Sequence, residues 1–67
     1  MDLRIIIIKN KGKGIAAWVE GPDAETGKPC RINLPSVQVA VALTKHLSMS
    51  QQRREDHNGS IKYTYSV

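Results

Sequence analysis

A single cysteine, Cys30, stands in a chain of 67 residues. One thiol cannot staple the fold with an internal disulfide, and it excludes the cysteine-rich zinc sites. Its place in a short apolar alternation reads as a small core residue. The lack of cysteine pairs fits a reducing compartment, or a chain indifferent to redox state. Long apolar runs are missing as well. The run Ile5 to Ile8 stops at Lys9, too soon for the apolar centre of a signal peptide and far below the ~20 residues of a membrane span. The expectation is a soluble, cytoplasmic protein with no membrane partner. Glycine and proline are absent between Pro35 and Gly59, and that gap shapes the reading of the second half.

At this length the chain is one domain, 1–67. Such a domain buries only about 60% of the surface its unfolded form exposes, so its stability is marginal. Ten Lys and Arg oppose six Asp and Glu, a net charge of +4. A basic balance on so short a chain favours an anionic partner, either nucleic acid or an acidic protein surface.

Leu3 to Lys9 is β-branched and apolar, the composition of a strand. Asn10, Gly12 and Gly14 in "NKGKG" supply the positive φ of a tight hairpin. "IAAWVE", residues 15–20, returns as a second strand. It sets Ile15, Ala17 and Val19 on one face, and Ala16, Trp18 and Glu20 on the other. "GPDAETGK" reads as a longer loop, and "CRINL", residues 30–34, as a third strand with Arg31 and Asn33 on one face. Residues from 36 into the low fifties read as a helix with Val37, Ala40, Val41, Thr44 and Leu47 in a stripe, since the unbroken length exceeds an ordinary strand. "IKYTYSV" closes the chain as a half-buried strand with Ile61, Tyr63, Tyr65 and Val67 on its apolar face. The expected fold is therefore α+β: a three- or four-stranded, mostly antiparallel sheet with one helix on one face, in the order β-β-β-α-β. Its core draws on Ile5, Ile7, Ile15, Val19, Ile32 and the inner face of the last strand. The four successive isoleucines are symmetric, so Ile6 and Ile8 are an equal alternative for the inner register.

Several stretches resemble chemical motifs, and each fails on its chemistry. "GKGIAA" follows a strand and matches G-x-G-x-x-A, but Trp18 to Gly21 leave no room for the helix that would hold a pyrophosphate. A phosphate loop ending at Gly27 and Lys28 would need glycine where Pro22 stands, and a hydroxyl where Pro29 stands. Cys30, His46 and His57 lack metal-ligand spacing. Asp56, His57 and Ser60 have the residue types of a hydrolytic triad but share one polar loop, with no oxyanion donor beside them. Glu55 and Asp56 sit next to Arg53 and Arg54 as a solvated charge cluster. The expectation is a non-enzyme with no cofactor and no metal.

What remains is a distributed basic surface. Lys9, Lys11 and Lys13 crowd the first hairpin. If Ile5 and Ile7 face the helix, then Arg4, Ile6 and Ile8 face away, and Trp18, Arg31 and Lys62 join them when the strands pair in matching register. Those cations would neutralise phosphates and Trp18 would stack or pack, giving a module that binds nucleic acid or a nucleic-acid-containing assembly. The face lacks the second aromatic that such platforms usually carry. The alternative is a protein-interaction module with Ile6, Ile8 and Trp18 as buried anchors. It would be a homodimer, or a regulatory inhibitor of a larger complex of the kind found among phage or plasmid accessory proteins.

Overall fold

The computed structural model describes residues 3–67. Strands β1 (Arg4–Asn10), β2 (Gly14–Pro22) and β3 (Pro29–Asn33) come first, then helix α1 (Val37–His46), then β4 (Ser50–Glu55) and β5 (Ile61–Ser66). All five strands form one antiparallel sheet in the order β3-β2-β1-β5-β4. The last strand returns to the centre, beside β1, with Ile5 opposite Tyr65 and Ile7 opposite Tyr63. The fold is α+β with one helix, as expected, but five strands replace three or four. The element order is β-β-β-α-β-β.

Strand β4 comes from the stretch read as the end of a long helix and the polar loop after it. The helix stops after ten residues in a Schellman motif. Ser48 N–H donates to Lys45 O at 3.2 Å, and Met49 N–H donates to Thr44 O at 3.0 Å. The left-handed residue is Ser48, with φ +52°, where glycine is the usual occupant. The stop therefore carries no glycine signal. At the other end Ser36 is the cap. Its Oγ accepts from Val39 N–H at 3.2 Å, and Pro35 precedes it.

The register settles the isoleucine question. Ile5 and Ile7 lie under the helix with Ala17 and Ala40, and Val19, Leu34, Val37, Val41, Leu43, Tyr63 and Tyr65 pack around them. Thr44 is buried there too, and its hydroxyl donates to Val41 O at 2.7 Å. A helix about 10 Å across covers roughly two strands spaced at about 4.8 Å, and α1 packs on β1 and β2. Residues at the sheet's margins are left in water. Ile15, at the start of β2, is 54% exposed, and Ile32, on edge strand β3, is 62% exposed. Both were expected in the core. Cys30 is exposed on the same edge strand rather than buried, for the same reason. No helix among the described residues is long and apolar enough to cross a membrane.

Candidate nucleic-acid interface

The side of the sheet away from α1 is built in three cross-strand rows. The first runs Arg31, Glu20, Arg4, Ser66 and Ser50. The second runs Asn33, Trp18, Ile6, Thr64 and Gln52. The third runs Ala16, Ile8, Lys62 and Arg54. The pairing thus brings Arg4, Ile6, Ile8, Trp18, Arg31 and Lys62 onto one face. Arg54 joins them through β4. It was hidden in the polar stretch read as helix end and loop, although "DHNG" followed by a strand is a hairpin signal that implies a partner strand before it.

The centre of this face is closed by its own side chains. Ile6 is 3% exposed and Trp18 7% exposed, although no other element lies over them. The indole Nε1–H donates to Glu20 Oε1 at 2.8 Å, which fixes the polar end of the ring. Arg31 Cζ lies 3.9 Å above the ring centroid, a cation–π contact on the solvent side. Trp18 is therefore not a bare stacking surface. Of the apolar strip Ile6, Ile8 and Trp18, only Ile8 is partly exposed.

The face is cationic at both ends of the strands. At one end Arg4 and Arg31 line a cavity of about 640 Å³, with Glu20, Pro22 and Pro29 in its wall. At the other end the β1–β2 and β4–β5 hairpins meet. Lys13 N–H donates to Asn10 O at 3.0 Å, closing a turn in which Gly12 takes φ +75°. This turn exposes Lys11 and Lys13 at the tip. Gly59, with φ +81°, tops the second hairpin, and a Cβ there would come within 3.3 Å of Lys11 Cδ. The Lys11 stem thus lies across the neighbouring loop. A smaller cavity of about 230 Å³ opens below, between Ile8, Asn10, Arg54, Ser60 and Lys62. Lys9 lies instead on the helix side, with Nζ 5.7 Å from the Tyr63 ring centroid.

Among the described residues the one ion pair is Arg53–Glu55, at 3.5 Å and exposed. The single acid among the strand residues of the open face is Glu20, already engaged by Trp18. Asp56 is engaged as well. Its Oδ1 accepts from Asn58 N–H and Ser60 N–H, both at 2.9 Å, which makes it the organiser of the β4–β5 loop rather than the acid of a triad. Among the described residues no three His, Cys, Asp or Glu side chains gather as a metal site.

The chain was compared with protein-family models, curated proteins and solved structures, and none of them matches it.

Proposed function

We propose that this protein is a non-enzymatic binding module that contacts nucleic acid, or an assembly containing it, through the helix-free sheet face and the lysine-rich hairpin. One observation carries the reading. Arg4, Arg31, Arg54 and Lys62 share that face, while its one strand acid, Glu20, accepts the Trp18 indole N–H. Lys11 and Lys13 extend the cationic surface past the end of the sheet. A concentration of cations on one face is the electrostatic footprint of a phosphate-binding surface. Trp18 supports it from beneath, holding Arg31 in place.

The alternative protein interface, anchored on Ile6, Ile8 and Trp18, draws less support. Two of its three anchors are already buried within the domain, so a partner would gain little apolar area by covering them. The reading is tested by titrating fluorescent single- and double-stranded DNA and RNA across salt and following anisotropy. Micromolar binding with a negative slope of log K against log salt is expected. No binding at low salt would overturn it.

A further inference from the structure

The helix-free face presents one stack whose outer surface is in water. Trp18 lies buried in the sheet's second row, and Arg31 Cζ sits 3.9 Å over its ring centroid. That separation is van der Waals contact between the guanidinium and the indole face, the range in which arginine stacks on an aromatic ring. The ring beneath is pinned by its hydrogen bond to Glu20, and Arg31 itself is exposed on edge strand β3. The guanidinium therefore meets Trp18 on its inner side and solvent on its outer side. Arginine planes and aromatic rings are the surfaces on which unpaired bases stack. Beside this plane lies the cavity of about 640 Å³ that Arg4 and Arg31 share, within the range of about 300–1,000 Å³ common for small-ligand sites.

We infer that Arg31 stacks flat on Trp18 and seats an unpaired base of a single-stranded nucleic acid, while Arg4 meets a phosphate across the cavity. The inference rests on the nucleic-acid reading and narrows it to strands with free base faces. In a duplex those faces are stacked on one another and offer the guanidinium nothing to stack against. A face with one tryptophan still offers a stacking surface this way, because the aromatic ring serves as the support and the guanidinium as the platform.

The test compares a short thymidine strand with an abasic strand of the same length. Both are titrated at low salt against the natural protein, Arg31→Lys and Arg4→Lys. The natural protein is expected to hold the thymidine strand roughly 5- to 100-fold tighter than the abasic strand, the range for one or more stacked bases. Arg31→Lys keeps the charge and loses the plane. It should lose most of that preference while its abasic binding stays within about twofold. Arg4→Lys should leave the ratio of the two affinities unchanged. Emission of Trp18 and thermal unfolding confirm that each variant is folded. Equal affinity of the natural protein for both strands overturns the base seat and leaves the nucleic-acid reading standing, as does an Arg31→Lys loss shared equally by the two strands. Tighter binding to a duplex than to the thymidine strand also overturns the base seat. Failure to bind any of these strands overturns both.

Discussion

Ile6 and Trp18 stand opposite each other across β1 and β2, on the side of the sheet that has no helix, and both are buried. Four isoleucines in succession put apolar side chains on both faces of a central strand. On one face α1 covers Ile5 and Ile7. On the other the indole closes over its neighbourhood, with Arg31 over the indole. A single large ring thus takes the part of a missing second layer over Ile6, while Ile8, farther along the same face, stays partly exposed.

That arrangement makes Trp18 a stability residue first. Trp18→Ala should cost about 3–5 kcal/mol, the range for truncating a buried aromatic. Domains of this size have total stabilities of only about 3–10 kcal/mol, scaling at roughly 0.05–0.15 kcal/mol per residue. Trp18→Phe keeps most of the ring and loses the bond to Glu20, so it should cost about 1–2 kcal/mol. Arg31→Ala removes only the exposed cation–π contact, worth about 0.5–1 kcal/mol. Urea unfolding of the three variants checks this order. A Trp18→Ala midpoint indistinguishable from that of the natural protein would mean that the ring covers nothing that matters.

Much of this was legible in the sequence because strands with one buried face advertise it by alternation. Ala17 and Val19, Arg31 and Ile32, Tyr63 and Thr64 each fall on the side their spacing implies. The isoleucine tetrad could not choose its own inner face. The choice is made by what pairs with it, since Ala17, Val19, Tyr63 and Tyr65 are neighbours of Ile5 and Ile7. Strand β4 was harder to read for a different reason, and only the "DHNG" turn after it points to a strand there. Ser50 to Glu55 is exposed on both faces, so no period separates inside from outside, and nothing in its composition marks the helix stop at Ser48. The exposure of Ile15 and Ile32 was also out of reach, because it depends on how few strands a ten-residue helix can cover.

The stop at Ser48 gives a second prediction. A residue with a Cβ in the left-handed region is strained by about 1–2 kcal/mol, and glycine is not. Ser48→Gly should relieve that strain at the cost of a more flexible unfolded chain, for a net gain of about 0.5–1 kcal/mol. Ser48→Val, β-branched and with the same φ imposed, should lose about 1 kcal/mol or more. Thermal unfolding of both variants decides the matter. A lower melting temperature for Ser48→Gly would show that the serine hydroxyl does something glycine cannot.

Asp23 predicts a pH dependence. Its Oδ1 accepts from Glu25 N–H at 2.8 Å and from Thr26 N–H at 3.2 Å, and Asp23 N–H donates to Lys28 O at 2.7 Å across the β2–β3 loop. The two backbone donors, Glu25 first, hold the carboxyl below the ordinary carboxylate range. A pKa lowered by folding stabilises the folded state at all pH values above the unfolded pKa. That stabilisation disappears as pH falls through the folded one. The difference in melting temperature between the natural protein and Asp23→Ala should therefore be constant from neutrality down to the carboxylate range and shrink below it. A difference unchanged in strong acid would locate its origin in loop packing instead of charge.

The hairpin end of the sheet bears on the binding reading most directly. Lys11 lies across the Gly59 loop, so its ammonium is carried to where the two hairpins meet, and Lys13 stands beside it at the tip. Each lysine that neutralises a phosphate contributes about −0.7 to −0.9 to the slope of log K against log salt. Lys11→Gln and Lys13→Gln should each flatten that slope by about this amount and weaken binding at low salt across all sequences alike. Lys45, in the last turn of α1 on the other side of the sheet, serves as the control. Its change to Gln alters net charge equally, so any general effect of charge appears there too. Anisotropy titrations of the three variants at several salt concentrations separate a local contact from a diffuse field. If Lys45→Gln flattens the slope as much as Lys11→Gln, the protein attracts polyanions by its overall charge, and the hairpin is not the place of contact.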